Sequence, residues 1–207
     1  MQLYYSPMAC SLAAHIACRE GELPVDLVRV DLSTKRAEGR GTVLSVNPMG
    51  QVPALVTDEG RILTENVAVL SYLGDKVAGK DDEGAESERY ERVRWIGFVG
   101  AELHKAVLWQ IFSPTSPDPV KDLARLRADR PLSVLSARLE SRSALLGDTF
   151  GAPDAYLFWA LVVCPVAGVS LERHPVLQRY VDRHRSRPGV AAALDFELSV
   201  RKQPFAA

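Results

Sequence analysis

The spacing of apolar residues changes character part-way along the chain, and that change limits the folds open to it. Through residue 77, short alternating runs are interleaved with helical spacings; beyond residue 87 only helical spacing remains. Residues 2–5 (Gln2-Leu3-Tyr4-Tyr5) read as a strand, and residues 11–20 as a helix with Leu12, Ala13, Ile16 and Ala17 on one side and Gly21 as its stop. Residues 25–30 alternate with period two, and a polar stretch over 33–41 follows. Residues 52–56 and 61–63 flank Asp58-Glu59-Gly60 as a hairpin. Thr64 then caps a predicted helix from Glu65 to about Val77, with Val67, Leu70, Leu73 and Val77 spaced for burial. The order β-α-β, then β-β-α, predicts a small mixed sheet with helices. The polar run 78–87, rich in Gly, Asp and Glu, reads as an interdomain linker. Beyond it, helices are expected over 88–112, 123–146, 153–163, 176–185 and 190–200, with prolines at their borders and a break at Pro114 to Pro119. The expected organisation is a mixed α/β domain over 1–77, a linker over 78–87 and an all-α domain over 88–207.

Composition narrows the partners. A net charge of -1 over 207 residues offers no electrostatic case for nucleic acid or an anionic membrane surface. No apolar run approaches the roughly 20 residues of a membrane span, and the first residues lack the basic and apolar segments of a secretion signal. The expected location is cytoplasmic. Three cysteines, Cys10, Cys18 and Cys164, make an odd set without framework spacing, and no Cys/His spacing suits zinc, so neither a disulfide scaffold nor a metal is expected.

Cys10 is the residue with chemistry in its surroundings. It sits in Tyr4-Tyr5-Ser6-Pro7-Met8-Ala9-Cys10-Ser11, where a strand turns into a helix. A thiol at the first turn of a helix faces unpaired N–H groups and the positive end of the dipole, which favour thiolate and hence nucleophilic or redox chemistry. Cys18 and Cys164 read as small buried apolar residues.

Five segments together resemble the glutathione S-transferase superfamily, and its bacterial beta class in particular, over nearly the whole chain. They are residues 3–12, Asn47-Pro48-Met49-Gly50-Gln51-Val52-Pro53-Ala54-Leu55, Leu63-Thr64-Glu65, Glu102-Leu103-His104-Lys105, and Gly147-Asp148 with Pro153-Asp154-Ala155-Tyr156-Leu157-Phe158. The resemblance implies a thioredoxin-like N-terminal domain, an all-helical C-terminal domain, a homodimer, and a detoxifying transferase with glutathione as co-substrate and small hydrophobic electrophiles as partners. It implies catalytic roles for Cys10, Ser11 and His104, with Tyr5 and Ser11 as hydroxyls able to support conjugation.

For glutathione itself, the resemblance points to Glu65 and Asn66, at a helix start suited to the γ-glutamyl carboxylate. It makes the Val52-Pro53 bond cis, with the Val52 backbone and Gln51 beside the cysteinyl part. Lys35, with His104 or Lys105, becomes a partner for the glycine carboxylate, and Glu102 reaches across a dimer to the ammonium. Asp154 matches a capping-box acid whose Ser or Thr partner is here Gly151. Gly97, Trp109, Phe112 and Tyr156 are candidates for the electrophile pocket, and the latter three are equally good core residues. Three positions depart from the family pattern: Asn66 for Ser, Gly97 for Asn, and Ala101 for a small hydroxyl residue. A cysteine at position 10 predicts thiol-disulfide exchange or peroxide reduction as strong activities and conjugation as a weaker one, because a thiolate there would repel the glutathione thiolate rather than support it. A glutathione-dependent dehalogenase or isomerase, or a non-catalytic binding protein of the same fold, uses the same scaffold.

Overall fold

Leu3 and Tyr5 point into one apolar core and Tyr4 into another, the period-two alternation that makes residues 2–5 a strand between two layers. In the computed structural model, which describes residues 1–78 and 85–205, this strand, β1 (Gln2–Tyr5), lies inside a six-stranded sheet. The strand order is β4-β3-β2-β1-β5-β6. β2 (Asp26–Asp31) runs parallel to β1, with Gln2 opposite Asp26 and Tyr5 opposite Arg29. β5 (Ala54–Val56) and β6 (Ile62–Thr64) continue the sheet antiparallel, as the expected hairpin. A parallel pair needs a crossover, and α1 (Leu12–Glu20) supplies it. β3 (Arg36–Ala37) and β4 (Gly41–Thr42) fall within or just past the stretch read as polar loop; two residues each are too short for a periodic signal.

α1 is buried from Leu12 through Cys18, on every side. A helix with no polar face is enclosed by neighbours: the sheet packs on one side and the helices of the second half on the others. Those helices are α3 (Ala85–Phe98), a π-helical segment (Val99–Leu108), α4 (Trp109–Phe112), α5 (Asp118–Arg127), α6 (Asp129–Leu139), α7 (Ala152–Val163), α8 (Pro175–Arg185) and α9 (Pro188–Arg201). α7 is the second enclosed helix, buried from Ala152 to Leu161. One core therefore runs from Leu3, Ile16 and Leu55 through Ile96 and Leu103 to Phe158 and Leu177. Together the two halves form a thioredoxin-like sheet domain followed by an all-helical domain, the fold class expected from the sequence.

Several boundaries differ from expectation. Thr64 ends β6 rather than capping a helix, and α2 (Asn66–Ala78) begins one residue later than predicted because Glu65 is left-handed, with φ +65°. The expected helix over 88–112 is interrupted by the π-helical segment. The helix expected over 123–146 is two: Pro119 and Pro131 each sit near a helix start, where a missing N–H costs nothing. Residues 140–150 are not helical. Most of the run read as a linker lies outside the described residues.

Asp154 ties this non-helical stretch to α7. Its carboxylate accepts from Gly151 N at 3.0 Å, from Leu145 N at 2.8 Å and from the Tyr180 hydroxyl at 2.8 Å. Gly151 has no side chain to reciprocate, so the capping box is half present, as the sequence implied. Burial pushes the carboxyl up to about 6 from 3.8. Because the native value exceeds the unfolded one, the native state holds the extra proton between those pH values, and this group's contribution to stability declines as pH rises from about 4 through 6. Relative to Asp154→Asn, the wild type is expected to lose up to about 2 kcal/mol between pH 4 and pH 7 in urea unfolding. Asp154→Ala, which orphans three donors, two of them buried, is expected to cost about 3 kcal/mol.

Candidate active site

A cavity of about 1070 Å³ opens between the sheet domain and the helices. One wall is built by loops after strands: Met8 and Cys10 after β1, Lys35 after β2, Gln51, Val52 and Pro53 before β5, and Glu65 and Asn66 after β6. The other comes from the π-helical segment and its neighbours, with His104, Lys105, Trp109 and Phe112, backed by Tyr156 and Trp159 of α7. Three non-glycine residues of this lining, Met8, Lys35 and Glu65, hold left-handed backbone at φ +64°, +62° and +65°. Such conformations cost of order 1–3 kcal/mol each and persist where function or surrounding structure requires them. Composition and periodicity carry no trace of this clustering.

The active-site loop is held from the far side of the molecule. Met8 N donates to Glu197 Oε2 at 2.7 Å, and Met8 O accepts from Trp159 Nε1 at 3.2 Å. Glu197, fully buried on α9, also meets His15 Nδ1 of α1 at 3.0 Å. Sequence reading missed Glu197, His15 and Trp159. A charged residue at an otherwise core-facing position of α9 was the available signal.

Cys10 lacks the lowered pKa that a helix start favours. α1 starts at Leu12 with Ser11 as its N-cap, and the half-buried thiol donates to Val52 O at 3.1 Å. Burial pushes it up to about 11, against smaller opposing contributions from the Asn66 amide and from Lys105. Desolvation outweighs the helix terminus, so the group is a thiol at neutral pH, not a thiolate. Tyr5 and Ser11, expected to offer hydroxyls, do not line the cavity. The Tyr5 ring packs on His15 and Phe196, and its hydroxyl is pushed up to about 12 by burial. Ser11 Oγ is spent inside the turn, donating to Ser6 O and accepting from Ser6 N.

His104 and Lys105 are neighbours with opposite properties. His104 is buried, and burial lowers its pKa to about 3, which makes it a neutral imidazole. Its Nδ1 lies 2.6 Å from the Tyr156 hydroxyl, and its ring stands edge-on to Trp159. Lys105 is exposed, with its ammonium 4.4 Å from the centre of the Trp109 ring. Lys35 reaches back to Gly50 O at 3.0 Å; Gly50 itself needs its φ of +61°, and a Cβ there would strike the Lys35 stem at 2.9 Å. The Val52-Pro53 bond is cis. Asn66 is buried, and its Oδ1 has no hydrogen-bond partner among the described residues. Gly97 faces open space, and Trp109 and Phe112, offered as pocket or core, form an exposed rim, 42% and 46% accessible. Tyr156 is both buried and part of the lining. Glu102 is exposed and lies outside the lining.

Residues 7–76 match the model of the glutathione S-transferase N-terminal domain. The chain is 36% identical over 199 residues to glutathione S-transferase GstA of Escherichia coli O157:H7, covering 95% of this chain and 98% of that one. The chain belongs to the glutathione S-transferase family. A second relative, from Xanthomonas campestris pv. campestris, is 37% identical over 206 residues, with 95% and 98% covered. Among solved structures, a bacterial beta class glutathione S-transferase of Sphingomonas chungbukensis matches with TM-score 0.87 and 40% identity, covering 95% of this chain and 98% of that one. A sphingomonad glutathione S-transferase complexed with glutathione matches with the same TM-score at 37% identity, with the same coverage. Within this glutathione S-transferase, the raised Cys10 pKa is checked by alkylation. Iodoacetamide modification of Cys10 is expected to be slow at pH 7.5 and to accelerate about tenfold per pH unit up to pH 9.5, as the thiolate fraction grows. A plateau below pH 8 contradicts the desolvated thiol.

Proposed function

We propose that the chain binds glutathione in this cavity and transfers it to small hydrophobic electrophiles. The observation that carries this reading is the cavity floor, where Cys10 and His104 line one space between a polar wall and an aromatic rim. Glutathione brings two carboxylates, an ammonium and a thiol. The start of α2 at Asn66 suits the γ-glutamyl carboxylate, since its first N–H groups have no partner within the helix. The orphan Asn66 Oδ1 suits an N–H of the same ligand. Val52 offers its backbone to the cysteinyl part, with Gln51 and Pro53 beside it; the carbonyl that accepts Cys10 has a second lone pair. Lys35 and Lys105 supply positive charge for the glycine carboxylate, the role that a neutral His104 does not fill.

Cys10 then acts as a donor. A thiol with a pKa of about 11 is a poor attacking group at neutral pH, but its S–H, turned from Val52 O toward the ligand, can hydrogen-bond to a glutathione thiolate and stabilise it. His104 offers a second, uncharged donor. The glutathione sulfur forms a bond to the electrophilic carbon as the leaving group departs with the bonding electrons, and the thiol proton goes to solvent. The aromatic rim of Trp109 and Phe112, with Gly97 leaving room and Tyr156 behind, takes the apolar electrophile. Conjugation is therefore favoured over the disulfide exchange that a reactive Cys10 would support.

The assembly this reading calls for is a homodimer, in which the exposed Glu102 of one copy completes the ammonium site of the other. Light scattering is expected to return twice the mass of one chain. Three free cysteines fit a reducing, cytoplasmic setting, and among the described residues no helix is long and apolar enough to cross a membrane.

Retention on glutathione-agarose and a thermal shift with millimolar glutathione test binding; the absence of both overturns the reading. Cys10→Ala is expected to lower conjugation of a chlorodinitrobenzene about tenfold, and Cys10→Ser, which keeps a donor, about threefold or less. Turnover of a glutathione mixed disulfide faster than conjugation, abolished by Cys10→Ser, would assign Cys10 to exchange instead.

A further inference from the structure

At the back of the cavity, three polar side chains from three elements meet: Asn66 from α2, Tyr156 from α7 and His104 from the π-helical segment. The Tyr156 hydroxyl and His104 Nδ1 are 2.6 Å apart, a short contact for a neutral pair. All three are at least nine-tenths buried. In the folded chain the remaining ring nitrogen of His104, Nε2, makes no hydrogen bond among the described residues. A neutral imidazole carries one N–H, so whichever nitrogen holds it decides whether Nε2 donates or accepts.

We propose that Tyr156 is a positioning residue whose hydroxyl donates to His104 Nδ1 and so holds the imidazole as the tautomer with its proton on Nε2, making that nitrogen a hydrogen-bond donor toward the sulfur of bound glutathione. The ligand in this statement rests on the glutathione reading above; the tautomer does not.

The short contact itself favours one direction of the proton. A phenol hydroxyl is a stronger donor than acceptor, and an unprotonated imidazole nitrogen is a stronger acceptor than a phenol oxygen, so at 2.6 Å the pair is best used as Tyr156 O–H to His104 Nδ1. Burial keeps both partners from titrating: Tyr156 is pushed up and His104 held down near 3. The relay therefore stays neutral and keeps its direction across the working pH range. Packing supports the same geometry, since the His104 ring stands at 78° to Trp159, 4.8 Å between centroids, and the Tyr156 and Trp159 rings lie nearly parallel. An uncharged donor next to a thiolate also avoids burying a cation, which would be costly without a buried counter-charge.

The test begins with nitrogen NMR of isotopically labelled histidine in the ligand-free protein. His104 is expected to carry its proton on Nε2 in the wild type, and to show a mixture of tautomers in Tyr156→Phe, which keeps the packed ring. In conjugation assays Tyr156→Phe is expected to lower kcat about tenfold while KM for glutathione stays within about twofold, the pattern of one lost oriented hydrogen bond felt in the reaction rather than in binding. A double-mutant cycle guards against a structural effect. In a His104→Gln background, where the amide N–H mimics Nε2–H and has no tautomer, Tyr156→Phe is expected to have no further effect on kcat. A proton on Nδ1 in the wild type overturns the proposal, as does an unchanged kcat in Tyr156→Phe or an equal loss in both backgrounds. Failure of glutathione to shift the melting temperature would instead overturn the ligand reading and leave the tautomer result standing.

Discussion

The active-site loop exists in its observed form because Met8 is held at both ends of its peptide unit by the helical domain. Its N–H is fixed by a fully buried carboxylate on α9 and its carbonyl by the indole of α7. Left-handed backbone at a methionine is unfavourable by itself, so these two bonds, with the buried contact between Glu197 and His15, keep the turn that carries Cys10 beside Val52. The burial of α1 on every side follows from the same arrangement, since the helix must sit under α7 and α9 for those bonds to form. The cavity is therefore a product of interdomain contact, and neither half builds it alone.

That contact also sets the electrostatics. Isolated at a helix start, Cys10 would favour thiolate; enclosed between two domains, it loses more from desolvation than it gains from the dipole, from Asn66 and from Lys105 together. His104 obeys the same balance with the opposite sign of charge, losing its proton where Cys10 keeps one. Both groups are neutral at the floor, while charged residues, Lys35, Lys105, Glu65 and Arg201, stand on the lining around them. A neutral floor of donors suits an anion that arrives with its ligand, and charged walls suit the ends of a zwitterionic peptide.

Much of this was legible in the sequence, for identifiable reasons. The switch from mixed to purely helical periodicity gave the two-part architecture, and the short motifs around Cys10, Val52-Pro53, Glu65 and His104-Lys105 brought together residues that do line one cavity. The π-helical segment was not legible, because 99–108 has the composition of an ordinary amphipathic helix and the extra residue per turn is imposed by tertiary packing. The left-handed residues at 8, 35 and 65 are not glycines and leave no compositional mark. The raised pKa of Cys10 was not legible for the same kind of reason: local position predicts the dipole, whereas desolvation depends on elements far along the chain. Ser11 and Tyr5 were misplaced by one turn of geometry, since neighbours in sequence around a tight loop point to different sides.

In the proposed complex, glutathione lies across the neutral floor with its sulfur between Cys10 and His104. A structure of the glutathione complex is the decisive measurement. The ligand sulfur is expected within about 4 Å of both Cys10 Sγ and His104 Nε2, unbonded to either, with the γ-glutamyl carboxylate at the start of α2. A covalent sulfur–sulfur bond to Cys10 in the resting complex, or a ligand lying against the aromatic rim away from Asn66, would contradict it.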